Sequence, residues 1–301
     1  MEMLGFLILF PLVIAGLLMV FRKTKPRNVI VCIGSAVIAI VSIVLVVTNI
    51  GTTGTYFTFE SVYVDYICLA VDVVIAITII AFGIKYRNAP AIVLALIQIV
   101  GTLVYEFMFA HGLECSRSLY IDSLSLIMAL IIGIVGTGIC VYSIGYMHDF
   151  YFGIHHPETD MPDRRPTFFA LMFVFLSAMY GIIFFNNMVW LFTAWEVTTL
   201  CSFLLIGFTK TDEAIHNAFR QIIMNLVGGI AFLVALYYLA IQFSCIDFMD
   251  FIVFGTIAPT YVVLPLTCLS LAGITKAAQM PFHTWLLGAM VAPTPTSALL
   301  H

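Results

Sequence analysis

Apolar residues fall along this chain in long, nearly unbroken runs separated by short polar links. Nine runs stand out, at 3–21, 29–50, 64–84, 90–110, 121–144, 167–185, 188–208, 218–241 and 261–279. Each approaches or exceeds the ~20 apolar residues a helix needs to cross the hydrocarbon layer of a membrane. The pattern predicts an all-α fold, a polytopic transmembrane helix bundle of about nine spans with the start of a tenth helix after them. Only the links at 148–166 and 242–260 are long. The first run has no basic stretch before it and no small-residue cleavage site after it, so it reads as a retained span and not a signal peptide.

Composition agrees with lipid as the solvent. The 301 residues are 62% hydrophobic and only 9% charged, with a mean hydropathy of +1.12, far from the balance of an ordinary soluble domain. Net charge is −4, and no basic cluster with interleaved aromatics points to nucleic acid. The seven cysteines, at 32, 68, 115, 140, 201, 245 and 268, form no CxxC pair and mostly lie inside apolar runs, where a thiol behaves as a small hydrophobe.

Positive charge orients the bundle, because basic loops stay on the cytoplasmic side. With the N-terminus outside, the inner links collect Arg22, Lys23, Lys25, Arg27, Lys85, Arg87, Arg164, Arg165, Lys210 and Arg220, while the outer links hold only Arg117. The remaining basic residue, Lys276, lies at the membrane end of the ninth run.

An ionisable side chain at mid-membrane costs on the order of 2.5 to 3.5 kcal/mol even on lenient insertion scales, so it must be paired, hydrated or neutralised. Few are present: Asp72, Glu106, Glu196 and Lys276, with His283 and His301 near the end of the chain. Glu196 lies between Trp190 and Trp195 on one side and an apolar run on the other. Desolvation favours the neutral form of a buried acid or amine, and an opposite charge nearby favours the ionised form. Glu196 and Lys276 within reach of one another would therefore make a proton switch.

Pro281 follows Lys276 by five positions, and Pro293 and Pro295 interrupt the chain again. A broken helix in lipid is tolerated where it is buried in protein or faces water, and such breaks with a charged residue are common in the ion sites of transporters. Lys276 therefore reads as a proton-carrying group at a hydrated break. Blander readings stand beside this one. Lys276 could snorkel to the interface, Glu196 could be a neutral core acid, and Asp72 and Glu106 could serve as interhelical contacts. His283, beside Pro281 and Trp285, is as readily a packing residue as a relay. The segment HDFYFGIHHPETD carries His148, Asp149, His155, His156, Glu158 and Asp160 at spacings that match no familiar metal motif, and reads as a solvated loop. No phosphate loop, nucleophile elbow or dinucleotide fingerprint occurs.

Three stretches carry a resemblance: LYIDSLSLIMALIIG, NNMVWLFTAWEVTTLCSFLLIGFTKTDEAIHNAF and GITKAAQMPFHTWLLGAMVAPTPTSALLH. They resemble the antiporter-like proton-pumping subunits of respiratory complex I, of Mrp-type sodium/proton antiporters and of energy-converting [NiFe] hydrogenases, over residues 119–301. The wording of the second stretch is most similar to the hydrogenase branch. The resemblance implies two segments, 1–118 with four N-terminal spans and 119–301 with the first inverted repeat, incomplete at its end, so that the chain is expected to be part of a longer polypeptide or to be completed by a companion chain. It implies proton-translocating roles for Glu196, Lys276 and His301, with Arg220 at a position where relatives often carry a basic residue. Gly288 stands where relatives usually have an aspartate, which leaves that aspartate's role without a carrier. Implied partners are other membrane subunits and cytoplasmic iron–sulfur/[NiFe] or NADH-oxidising subunits. The chain itself shows no ligand set for iron, nickel or flavin, so no cofactor is expected in it and redox energy would arrive from elsewhere. The alternatives are an Mrp-type antiporter subunit with no redox partner and a non-pumping structural anchor.

Overall fold

The computed structural model describes residues 2–51, 54–58, 62–109, 117–152, 163–244 and 246–300. His301, Cys115, Cys245, and His155, His156, Glu158 and Asp160 of the histidine-rich segment lie outside the described residues.

Eight helices among the described residues are long and apolar enough to cross a membrane. They are α1 (Glu2–Val20), α2 (Thr24–Asn49), α3 (Val62–Lys85), α4 (Ala89–Met108), the continuous span Ser123–Phe152, α7 (Arg165–Phe184), α8 (Met188–Ile206) and α9 (Asp212–Phe243). The Ser123–Phe152 span is α5 (Ser123–Leu130) and α6 (Thr137–Phe152) joined through a wider π turn at Ile131–Gly136. The ninth predicted run folds as α11 (Pro259–Lys276), which falls outside that set of eight. Pro259, Pro265 and a scatter of Thr and Ser dilute its hydropathy, and it ends at the lysine. The link at 242–260 is not merely polar loop, since the apolar helix α10 (Phe248–Ile257) lies in it. Two short helices close the chain, α12 (Thr284–Gly288) and α13 (Thr294–Leu300).

Leu9, Ile33, Val47, Ile77, Val93, Phe107 and Ile241 are large, apolar and exposed. Outward-facing side chains of this kind suit lipid, while the helix backbone satisfies its own polar groups. The protein is a multi-pass membrane protein built from helices.

The chain forms two compact units that cut across the sequence boundary at 118/119. The first comprises residues 1–55, 121–184 and 292–301. Here α1 packs on α7 and α2, around Leu4, Leu7, Ile38, Phe169, Phe173 and Tyr180. The π turn lies where Ser42 of α2 closes on Gly133, and Ser42 Oγ shares a 2.8 Å hydrogen bond with the Tyr180 hydroxyl.

The second unit comprises residues 56–120 and 185–291 and holds every candidate site residue within the described part. In it α9 is central, packed by α4, α8, α11 and α12, while α3 packs on α4 and α8. The turn between α3 and α4 is set locally. Arg87 takes a left-handed backbone (φ 54°), the Asn88 side chain accepts from the Ala91 N–H at 3.2 Å, and Pro90 sits in the first turn where its missing N–H costs nothing. The core of this unit gathers Met188 and Phe192 of α8, Phe232, Leu236 and Leu239 of α9, and Val262 and Ala272 of α11.

Candidate functional site

The start of α8 sets the register of the site. The Asn187 side chain accepts from the N–H groups of Val189 (2.9 Å) and Trp190 (3.3 Å), which caps the helix. Trp190 and Thr193, one turn apart, then meet α3. Trp190 Nε1 donates to Asp65 Oδ1 at 2.6 Å, and Thr193 Oγ1 donates to Asp72 Oδ2 at 3.0 Å. One turn further, Glu196 is only 2% exposed, and neither of its carboxylate oxygens has a direct hydrogen-bond partner.

Asp72 Oδ1 and Gln98 Oε1 are also buried and without a direct partner. Asp72, Gln98, Thr102 and Glu196, with Ile75, Phe192 and other apolar side chains between them, line a cavity of ≈ 20 Å³ measured as space for water centres. That is room for about one water molecule.

Two successive glycines let α9 approach this cluster. A Cβ on Gly229 would lie 2.7 Å from Glu196 Oε1 and 2.9 Å from Gln98 Oε1. A Cβ on Gly228 would collide with the Thr275 side chain of α11. Gly229 thus admits the acid and Gly228 admits the helix that carries the lysine.

Lys276 is the last residue of α11. Its Nζ donates to the Trp195 carbonyl at 3.1 Å and to Thr199 Oγ1 at 2.6 Å, and lies 5.4 Å from the centre of a Trp195 ring. Thr198 and Thr199 also donate to the Trp195 carbonyl, at 2.7 and 3.1 Å. Residues four apart on a helix stand one above the other, so the Thr199 hydroxyl and the Trp195 carbonyl form a two-oxygen seat for the amine. No salt bridge joins Lys276 to Glu196 among the described residues. The acid and the amine are brought to the same turn of α8, but the amine rests on the peptide that precedes the acid and not on its carboxylate.

The helix break expected near Lys276 is present. After Lys276 the chain turns, with Ala278 in a left-handed conformation (φ 50°), and becomes helical again at Thr284. Trp285 Nε1 reaches back to the Thr275 carbonyl at 2.9 Å, supplying a donor where the helix no longer does. A helix C-terminus favours a cation, which suits an ammonium at this position.

Around the seat, Gln221 Nε2 donates to the Thr199 carbonyl at 3.3 Å, and Asn225 Nδ2 donates to the Gln221 carbonyl at 3.0 Å. Gln221 Oε1, Asn225 Oδ1 and His283 Nδ1 are buried without a direct partner. His283 itself is half-buried at the entry to α12. Glu106 is half-buried on α4, and the spacing 98, 102, 106 aligns it with Gln98 and Thr102 along one face. Arg220 is exposed, with its guanidinium 3.4 Å from His216 Nε2 and no hydrogen bond to the cluster among the described residues. The same spacing of α9 that buries Gln221 and Asn225 turns Arg220 outward. Gly288 is closely approached by Asn217, whose Oδ1 would lie 2.6 Å from a Cβ there.

Ionisable residues alone did not disclose Gln98, Thr199, Gln221 and Asn225. Their signal was an uncharged amide or hydroxyl inside an apolar run, which a search for charges passes over. Among the described residues no group of three or more His, Cys, Asp or Glu side chains could hold a metal ion.

These features define a class: a polytopic helical membrane protein in which a buried acid and a half-buried amine from a neighbouring helix meet at one helix turn, beside a broken helix. Residues 185–301 match the family described as NADH:quinone oxidoreductase/Mrp antiporter, TM, and residues 107–151 match that described as NADH-Ubiquinone oxidoreductase (complex I), chain 5 N-terminus. Over these two segments the chain is similar to the antiporter-like membrane subunits that those descriptions name. It is 36% identical over 184 residues to NADH-quinone oxidoreductase subunit L of Campylobacter jejuni, covering 60% of this chain and 29% of that protein. It is 32% identical over 186 residues to Na(+)/H(+) antiporter subunit A1 of Staphylococcus aureus, covering 61% of this chain and 22% of that protein. The chain therefore spans less than a third of either relative. Among solved structures, the Mrp complex from Dietzia sp. DQ12-45-1b is similar at 26% identity and a TM-score of 0.53, covering 79% of this chain and 26% of that one. The archaeal membrane-bound sulfane sulfur reductase shares the fold, at 16% identity and a TM-score of 0.66, over 98% of this chain and 37% of that one.

Proposed function

We infer that this chain carries a proton-translocation site of a larger membrane complex, with Glu196 and Lys276 as its exchanging groups. The single observation that carries the reading is the seat of the Lys276 amine on Trp195 and Thr199, in the same turn of α8 as the fully buried Glu196.

The geometry suggests how the pair works. A unit charge a few ångströms away is worth on the order of 2 to 4 kcal/mol at an effective dielectric of ~20, enough to shift a proton equilibrium by more than tenfold. When Glu196 is ionised, its charge holds a proton on Lys276, and the ammonium stays on its two oxygens. When Glu196 takes up a proton that hold is lost and the lysine releases its own; the resemblance implies His301 as the acceptor. The lysine needs no contact with the acid for this coupling, since charge acts through the intervening peptide.

Family and relatives support a place among the membrane subunits of a redox-driven complex of the hydrogenase or NADH–quinone oxidoreductase type; the plasma membrane with the N-terminus outside is the placement that the basic links favour. In that setting cytoplasmic iron–sulfur/[NiFe] or NADH-oxidising subunits hold the redox cofactors, and this chain holds none. The test is Glu196→Gln in the native complex, assayed in inverted membrane vesicles with a pH-sensitive dye. Loss of coupled proton movement with assembly intact supports the reading; unchanged proton movement overturns it.

Similarity to the Dietzia Mrp complex and to the antiporter subunit A1 favours a second reading, a sodium/proton antiporter subunit with no redox partner. Pull-down in mild detergent separates the two. Iron–sulfur and nickel subunits accompany the chain on the first reading, and small membrane subunits alone on the second.

A further inference from the structure

We propose that Asp72 is a second proton-carrying carboxylate of this site, exchanging a proton with Glu196 through one water molecule held beside Gln98. The proposal rests on the proton-translocation reading above and extends it to a helix that neither family match covers. Asp72, Gln98 and Thr102 lie on α3 and α4, within residues 62–106, whereas the matched segments are 107–151 and 185–301.

Four oxygens carry the argument: Asp72 Oδ1, Gln98 Oε1 and both carboxylate oxygens of Glu196. All belong to side chains more than nine-tenths buried, none has a direct hydrogen-bond partner, and their residues line one cavity large enough for about one water. A buried polar atom in a native protein finds a partner as a rule. Against these four acceptors the residues offer one donor group, the Gln98 amide N–H beside Glu196, so the occupant must donate to the others. A water donates two hydrogen bonds, and a proton on either carboxyl supplies a third donor. One carboxyl protonated, one ionised, a water between them and the Gln98 N–H turned to the remaining Glu196 oxygen satisfy the set.

In the transfer, the O–H bond of the Glu196 carboxyl breaks and its proton passes to the water. The water gives one of its own protons to Asp72 Oδ1, which leaves Glu196 ionised, Asp72 neutral and the water regenerated. The reverse recharges Glu196. Asp72 Oδ2 takes no part, because it already accepts from Thr193 Oγ1. Other titratable groups near Asp72 are Asp65 and Cys68 on its own helix and Glu106 on α4. Asp65 is engaged by Trp190, and Cys68 is a free thiol. Glu106 continues the α4 face that carries Gln98 and Thr102, toward the end of the helix.

Asp72→Asn separates this role from a structural one. Asparagine keeps the shape and can still accept from Thr193 through its amide oxygen, but it cannot ionise. In the native complex in inverted vesicles, D72N is expected to slow proton translocation at least about tenfold with assembly unchanged. In infrared difference spectra of the complex, the carboxylic C=O band that disappears in E196Q is expected to shift in D72N. Wild-type translocation together with an unshifted band in D72N overturns the proposal. If instead E196Q leaves translocation intact, it is the underlying reading that fails. Should D72N not assemble, Gln98→Leu takes its place, since it removes the amide beside the water and spares both carboxyls. Slowed translocation in Q98L supports the relay, and a wild-type rate overturns it.

Discussion

The Lys276 amine lies 2.6 Å from Thr199 Oγ1. A hydroxyl and not a carboxylate is its shortest polar contact, so the amine is held in place independently of whether Glu196 carries a charge. Charge on Glu196 can then change the proton content of the lysine without first moving it. Thr199→Val keeps the shape and deletes this contact. A hydrogen bond to a charged group contributes about 1.5 to 3 kcal/mol, so T199V is expected to slow coupled proton movement by roughly tenfold or more. Vesicle assays at constant complex content check this.

Gly229 admits the Glu196 carboxylate at a distance that no side chain permits. Gly229→Ala is expected to displace the carboxylate or push α9 away, destabilising the unit by about 1 to 3 kcal/mol. A lowered Tm in detergent, together with reduced translocation, is the expected outcome. Gly5, in α1, has open space around its Cβ position, so Gly5→Ala serves as a control expected to leave the Tm close to that of the wild type.

Trp285 secures the end of the broken helix by donating to the Thr275 carbonyl. Trp285→Phe keeps most of the buried ring and removes the donor. Because Thr275 precedes the lysine, W285F is expected to cost about 1 kcal/mol of stability and to loosen the Lys276 seat. Faster hydrogen exchange at 275–284, with α1 unaffected, would show it.

Outside the spans, Asp163 is held below the usual carboxylate range by the hydrogen bonds it accepts from the Arg165 guanidinium, at 2.7 and 2.8 Å. A depressed native pKa means the contribution is fully present above the unfolded value of about 3.9 and disappears as the pH falls through the native value. The carboxylate is half-exposed, so its worth is less than about 1 kcal/mol. Asp163→Asn should lower the Tm slightly at neutral pH, and the gap to the wild type should close on acidification. A gap that is constant with pH would show that charge is not its cause.

Helix content and membrane class follow from apolar runs, because spanning length and burial of the backbone are local properties. Seven of the nine predicted runs correspond closely to single helices, and the run at 121–144 covers most of a longer span. The ninth shows where local reading stops. Its residues form α11, but it ends at Lys276 because Ala278 turns the chain and Trp285 closes the end, which no periodicity states. Glu196 and Lys276 were visible as charges in hydrocarbon. Gln98, Thr199, Gln221 and Asn225 were not, since a neutral polar residue in a span is unremarkable until its surroundings are known.

By itself the sequence determined that this protein lives in lipid and that one acid and one amine carry an unusual cost where they stand. Only the tertiary structure decided what those two touch. The lysine rests on a threonine and a peptide carbonyl instead of the glutamate, and the glutamate shares a water-sized cavity with Asp72 and Gln98 from a distant part of the chain. Hydrophobicity is summed along a segment and survives in any packing, whereas the partner of a buried charge depends on distances across helices, set here by glycines at 228 and 229.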